Sequence, residues 1–342
     1  MYISDSLKVK PLTFKEVKEL YFSASTEELT KMADNVCRMT YGEKVFLRGL
    51  IEFSNVCRMD CKYCGIRRSN KNIKRYTMSE EEILNTVKKG IEYGFKTFVL
   101  QSGETTSFNV YRLAELVERI KLMDNSVAVT LSCGYFNREE LRVLKNAGVD
   151  RYLIRFEVSD KKLYSYFKNG QKLSDRLEVI YNLKELGFEA GSGFMVGLPG
   201  ETDEILLKNL KLCKDLELDM VGIGPFIPHP DTPLRDAKVF PIERTVRATA
   251  LLRLLLPYSN IPATTAAGTL DPVGREKMLK AGANVLMPNI TPPVNKRHYL
   301  LYPDKICISE NGENCISCMR LRVESIGKKI SFERGNSLSF TI

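Results

Sequence analysis

The chain has 342 residues, 44% of them hydrophobic, with 51 Lys and Arg against 42 Asp and Glu for a net charge of +9. No stretch approaches the ~18 consecutive apolar residues of a membrane span, and the opening MYISDSLKVK lacks the apolar core of a secretory signal. The basic residues are dispersed and form no aromatic-interleaved stripe, so a cytoplasmic protein is expected, with no nucleic acid and no membrane as partner.

Residues 1–43 read as a helical leader, with Thr13 and Thr26 as candidate helix caps. After that a pattern recurs: a short apolar run, a polar or glycine-containing loop, then an amphipathic helix. Strands are expected over Val45–Phe53, Thr97–Leu100, Ser126–Leu131, Tyr152–Phe156, Ala190–Val196, Val221–Ile227, Ile261–Ala267 and Val285–Pro288. The helices between them run over Ser79–Tyr93, Val110–Met123, Glu139–Ala147, Ser174–Leu186, Glu204–Leu216, Glu243–Leu256 and Pro272–Ala281. Ser79 caps the first of these, with Glu80, Glu81 and Glu82 in its opening turn. Gly148 and Gly187 close two others.

Such alternation implies parallel strands with crossover helices. The expected fold is α/β: a (β/α)8 TIM-type barrel over 44–300, the helical leader before it, and a C-terminal cysteine-containing extension over 301–342. An open parallel sheet is the alternative. In a barrel the chemistry sits at the carboxyl ends of the strands. Those ends carry the residues from Cys57 to Cys64, Ser102, Thr130 to Cys133, Arg155, Glu157, Met195 to Gly197, Pro225 to His229, Thr264 to Thr269 and Asn289.

Nine cysteines in an intracellular chain point to metal ligation more than to disulfides. Six fall into two groups, while Cys37 and Cys213 stand alone as small core residues. Cys57, Cys61 and Cys64 are spaced Cys-x-x-x-Cys-x-x-Cys in SNVCRMDCKYCGIRR. Thiolates this close can converge on one soft-metal centre. A structural zinc site takes four ligands and is closed, and an iron–sulfur cube usually takes one cysteine per iron. Three cysteines therefore leave one iron open. A zinc knuckle completed by a distant ligand is the alternative. The second group, Cys307, Cys315 and Cys318, suggests a further iron–sulfur cluster, again with zinc as the alternative. The basic clusters Arg67-Arg68 and Lys71 to Arg75 read as solvated surface or as a positive rim for an anionic partner. His229, among prolines, reads as a loop hydrogen-bonder rather than a metal ligand.

The cysteine spacing resembles that of the radical S-adenosylmethionine superfamily. The resemblance implies a [4Fe–4S] cluster on Cys57, Cys61 and Cys64, with S-adenosylmethionine chelating the open iron and yielding a 5′-deoxyadenosyl radical. Tyr63 matches the aromatic that lies against adenine. Ser102-Gly103-Glu104 partly matches a Gly-Gly-Glu motif that meets the methionine amino group, with Ser102 in place of the first glycine. The stretch from Gly193 to Glu201, including Met195, follows the superfamily's Gly-x-Ile-x-Gly-x-x-x-Glu pattern, whose glycines let the backbone approach adenine. Arg155 and Glu157 lie two apart and so share a strand face. Glu157 suits a ligand amine or ribose hydroxyl, and Arg155 or Arg176 a carboxylate; a structural ion pair is the alternative.

Longer phrases are more specific. FSNVCRMDCKYCGIRRSNKNIKRY, VLQSGE, MVGLPGET, DMVGIGPFIPHPDTPL, NIPATTAAGT and GANVLMPN resemble the HydE family of [FeFe]-hydrogenase maturases. That resemblance implies action on a small iron-containing substrate, a cysteine-bound iron carbonyl cyanide complex, whose sulfur the radical attacks. It also implies partner maturases and a scaffold protein of the assembly pathway. By family position, Ser102, Thr130, Arg155, Glu157, Arg176 and Met220 lie near S-adenosylmethionine or the cavity, and Thr264, Thr265 and Tyr299 line the deeper substrate end. The terminal triad matches a second cluster site that varies within the family. Three other functions share parts of this pattern. Methylornithine synthase has the barrel and the cysteine loop. Biotin synthase needs further cysteines and an arginine inside the barrel, where this chain has Ser192, Gln101 and only Cys133 as a comparable thiol. A non-catalytic iron–sulfur carrier is the third.

Overall fold

Capping chemistry sets the first helices. In the computed structural model, which describes residues 9–105, 108–309 and 312–341, helix Phe14–Ser23 opens on Thr13. Thr13 accepts from the Glu16 N–H, and the Glu16 carboxylate accepts from the Thr13 N–H, a reciprocal box. The next helix, Thr26–Tyr41, is capped by Ser25 and not by Thr26, because Ser25 stands at the spacing that lets Glu28 reciprocate. Helix Glu80–Glu92 is capped by Ser79 in the same way. The opening residues expected to lack a signal, 1–8, lie outside the described residues.

The first expected strand bends at Arg48 into β1 (Lys44–Leu47) and β2 (Gly49–Ser54). It is followed by β3 (Thr97–Ser102), β4 (Ala128–Ser132), β5 (Arg151–Leu153), β6 (Glu189–Val196) and β7 (Met220–Pro225). The strands β2 to β7 pair in that order, each parallel to the next. Beyond β7 the Val221 N–H donates to the Asn260 carbonyl, and the Ala263 N–H to Val285. The last strand of the ring, β8 (Val285–Leu286), pairs parallel with β1, and the Leu50 N–H donates to Pro288. These bonds close the ring, so the molecule is an eight-unit α/β barrel. Its seventh unit contributes only isolated bridges at Asn260 and Pro262. The strand expected through Ala267 stops early because Thr264 accepts the Ala267 N–H and starts helix Thr265–Leu270.

The barrel's outer layer is apolar, with Leu100, Val129, Leu131, Tyr152 and Ile223 buried under the helices. The interior mixes apolar side chains with buried polar ones, among them Glu52, Thr130, Arg151 and Glu189. A short strand absent from the sequence expectation, β9 (Lys329–Ser331), pairs parallel with β1. Residues 334–337 then cross the amino-terminal end of the barrel. Arg151 donates to the Arg334 carbonyl at 2.9 Å and to Asn336 Oδ1 at 2.6 Å, and pairs with Glu189 at 2.6 Å. Arg48 and Asn260 both donate to the Gly335 carbonyl. This segment closes the bottom of the barrel and leaves its carboxyl end as the open mouth. No helix among the described residues is long and apolar enough to cross a membrane.

Candidate active site

The loop after β2 is held by one arginine. Arg75 donates through Nη1 to the carbonyls of Asn55 and Ile66, each at 2.7 Å, and through Nη2 to those of Arg67 at 2.6 Å and Asn70 at 3.1 Å. Arg67 pairs with Asp60 at 2.8 Å. These two members of the basic clusters are therefore staples of the cysteine loop, not a free rim, because its inward-turned carbonyls need donors. Gly103 brings the end of β3 against the same loop: a Cβ there would lie 2.4 Å from the Val56 carbonyl oxygen. The Arg58 N–H donates to the Glu104 carbonyl at 2.7 Å, and the Arg58 guanidinium pairs with the Glu104 carboxylate at 2.9 Å.

A cavity of about 340 Å³ opens at the mouth. The thiols of Cys57, Cys61 and Cys64 line it together with Tyr63, Ser102, Glu104, Arg155, Glu157, Arg176 and Met195. Thr264, Thr265 and Tyr299 line it as well. Two expected site residues stand elsewhere. Thr130 shares a face of β4 with Ser132, which borders the cavity, but sits one layer deeper, buried, with its hydroxyl unpartnered among the described residues. Met220 is the first residue of β7, at the opposite end of the barrel, where Arg48 Nη1 lies 3.1 Å from its sulfur. It does not line the cavity, because strand parity makes it inward-facing without setting its height along the axis.

The polar groups of the mouth are incompletely satisfied. Arg155 Nε lies 3.1 Å from Glu157 Oε2, an ion pair by distance, yet neither atom has a hydrogen bond of good geometry. Arg155 Nη2 is buried and also has no acceptor among the described residues. Glu157, held at φ 63°, accepts from Tyr63 Oη at 3.3 Å. Arg176 is buried and donates to Tyr164 Oη at 3.1 Å. Deeper, Gln101 Nε2 lies 3.2 Å from Tyr299 Oη. Burial, and then the nearby Glu52, hold the Tyr299 phenol well above its usual range, so it stays neutral.

A radical SAM superfamily model matches residues 51–213, and a Biotin and Thiamin Synthesis associated domain model matches 223–300. The chain is 47% identical over 315 residues to the [FeFe] hydrogenase maturase subunit HydE of Thermotoga maritima, covering 92% of this chain and 90% of that protein. It is 30% identical over 280 residues to 3-methylornithine synthase of Methanosarcina acetivorans, covering 80% and 79%. The chain belongs to the HydE family of the radical SAM superfamily. Solved structures agree on the fold. Methylornithine synthase PylB superposes with a TM-score of 0.81 at 25% identity, over 95% of this chain and 96% of that one. The maturase HydG of Carboxydothermus hydrogenoformans superposes at 0.80 and 20% identity, over 94% and 76%.

A radical SAM domain implies a [4Fe–4S] cluster and S-adenosylmethionine, and this HydE-family cavity fits them chemically. Burial pushes the Cys64 thiol up, and the Cys61 and Cys57 sulfurs beside it push it further. Burial also raises Cys57. Desolvated thiols such as those of Cys57 and Cys64 are poor thiolates alone, and a cationic metal core would supply the charge that makes them ligands. Among the described residues no three His, Cys, Asp or Glu side chains are already gathered as a metal cage, so the triad shares a cavity wall rather than a finished site.

The rest of the glycine motif is structural. A Cβ at Gly193 would lie 2.1 Å from the Gly222 carbonyl oxygen, so this glycine admits the neighbouring strand. Glu201 accepts the Gly197 N–H at 2.8 Å. His229 Nδ1 accepts from the Asp231 N–H at 3.1 Å, as expected of a loop histidine. Of the second cysteine group, Cys307 is half-buried at φ 63°, Cys315 is buried in helix Gly312–Glu324 and Cys318 is exposed. Sequence reasoning missed four polar lining residues: Glu52, Lys168, Tyr302 and Lys305. Glu52 was detectable as a lone acid in an apolar strand. The other three fall outside any periodic pattern.

Proposed function

We propose that this chain is a radical S-adenosylmethionine enzyme of [FeFe]-hydrogenase maturation. In this reading Cys57, Cys61 and Cys64 hold the cluster, and a cysteine-bound iron carbonyl cyanide complex is the substrate. When bound, the cluster supplies one electron that cleaves S-adenosylmethionine to a 5′-deoxyadenosyl radical. The chain's own residues bind and orient. Glu157 takes an amine or ribose hydroxyl, while Arg155 and Arg176 hold carboxylate or cyanide-bearing anions. Tyr63 backs the adenine. Thr264, Thr265 and neutral Tyr299 present hydroxyls at the deep end. The carrying observation is the shared cavity, with three thiols at one side and unpartnered Arg155 donors beside them.

Neither histidine of the chain borders the cavity. An acid–base enzyme would place a tuned imidazole or carboxylate on its substrate, whereas this lining suits a compact anion and leaves the hard step to the cofactor. The partners in this reading are the maturase that supplies the complex and the scaffold that receives its product, and the cytoplasm is the compartment. Cys307, Cys315 and Cys318 hold a second, dispensable cluster. The deciding experiment is anaerobic reconstitution, followed by assay of 5′-deoxyadenosine release and of hydrogenase maturation with and without this protein. Conversion of lysine to methylornithine instead, or no cleavage of S-adenosylmethionine, would overturn the reading.

A further inference from the structure

Lys168 follows helix Lys161–Phe167 directly and is only 8% exposed, yet it lines the cavity. Lysine is almost never this buried unless paired. Among the described residues its ammonium has no carboxylate or carbonyl hydrogen-bond partner; it lies 5.4 Å from the centroid of the Tyr63 ring. The titratable groups close enough to act on it are Cys61, Arg176, Glu157 and Tyr164. Glu157 accepts from Tyr63 and lies 3.1 Å from Arg155 without a well-aligned bond, and Tyr164 accepts from Arg176. Lys168 shares the cavity wall with Cys57, Cys61 and Cys64, and Cys61 is first among the groups that act on its charge. The backbone at this point is tied to the cysteine loop, because the Lys62 N–H, beside Cys61, donates at 2.9 Å to the carbonyl of Phe167, beside Lys168.

We propose that Lys168 is a positioning charge for the cluster: it stabilises the electron added to an iron–sulfur centre on Cys57, Cys61 and Cys64 and so raises its reduction potential. The inference rests on the cluster reading above. A thiolate-bound cluster gains one negative charge when a low-potential one-electron donor reduces it. A fixed cation in a poorly solvated wall favours that reduced state, and local charge is among the levers that set such potentials.

The test uses the full chain, reconstituted anaerobically, as parent, Lys168→Met, Lys168→Gln and Lys168→Arg. Iron per chain, the midpoint of a dithionite titration followed by electron paramagnetic resonance, and S-adenosylmethionine binding by equilibrium dialysis are read for each. The two neutral variants should show a reduced-to-oxidised ratio about tenfold lower at fixed potential, which is about 59 mV for one electron. Lys168→Arg should stay near the parent. If the neutral variants fail to load iron while Lys168→Arg loads it, the charge acts on assembly and not on the potential, and the proposal is overturned. An unchanged midpoint in a loaded neutral variant overturns the proposal, whether or not S-adenosylmethionine binding weakens. So does a Lys168→Arg variant that behaves like the neutral ones. A parent chain that assembles no cluster would instead remove the underlying reading.

Discussion

Lys305 and Glu52 form a buried ion pair inside the barrel, joining the carboxyl-terminal extension to the second strand across 253 residues. Glu52 also accepts from Asn289 Nδ2 at 2.7 Å, and Lys305 donates to the Tyr299 carbonyl at 3.1 Å. The extension is therefore anchored at the deep end of the cavity, and Tyr302, near Cys307, lies on the same wall. Breaking one half of such a pair strands a buried charge. Lys305→Met should lower unfolding stability by about 3–5 kcal/mol. The double variant Glu52→Gln, Lys305→Met should lose clearly less than the sum of the single changes, as read by urea denaturation.

Replacing Cys57, Cys61 or Cys64 with serine should abolish release of 5′-deoxyadenosine, because in the proposed function each thiol supplies one ligand to a site with none to spare. Circular dichroism should show the barrel intact. A triple serine variant that still released the nucleoside would contradict the assignment.

The terminal triad should behave differently. Cys318 is exposed beside Arg322, and Cys315 is buried in the helix core. A Cys307→Ala, Cys315→Ala, Cys318→Ala variant should bind fewer irons per chain yet still cleave S-adenosylmethionine. Loss of cleavage, with the first cluster intact by spectroscopy, would refute this.

Arg155→Ala removes the unpartnered donors of the mouth. Hydrogen bonds to charged groups are worth about 1.5–3 kcal/mol, so product formation from the iron complex should fall roughly 10- to 100-fold while iron content holds. A Thr264→Val, Thr265→Val change should weaken maturation in the same direction. It also removes the Thr264 cap of a short helix, which costs about 1 kcal/mol, so thermal unfolding must be measured beside it.

Acid should loosen one corner of the barrel. The Ser126 hydroxyl, then Lys96 and the Ser126 N–H, hold the Asp124 carboxyl down at about 2. A depressed carboxyl contributes stability that is complete above the unfolded value of about 3.9 and is lost as pH falls through the folded one. Asp124→Asn should flatten the stability profile between about pH 4 and 2, measured by denaturant titration at each pH.

Several features of this protein are local and were legible in the chain. Three thiols within eight residues are close however the chain folds, so Cys57, Cys61 and Cys64 could be read as one site. The strand–helix alternation records the burial of one face at a time, so the barrel could be read too, apart from the short polar β9 and the early stop at Thr264. Height and long-range contact are different. Met195 and Met220 both belong to strands that wall the barrel, but one stands near the end of β6 at the mouth and the other at the start of β7 at the base. Periodicity reports which face a residue takes and not how far along the axis it lies. Likewise nothing in the local pattern distinguishes Arg75, which holds four loop carbonyls, from the exposed Lys71 just before it, nor marks Lys168 and Lys305 as interior cations. Those roles depend on which backbone carbonyls and charges the closed ring brings around them, and only the tertiary structure decides that.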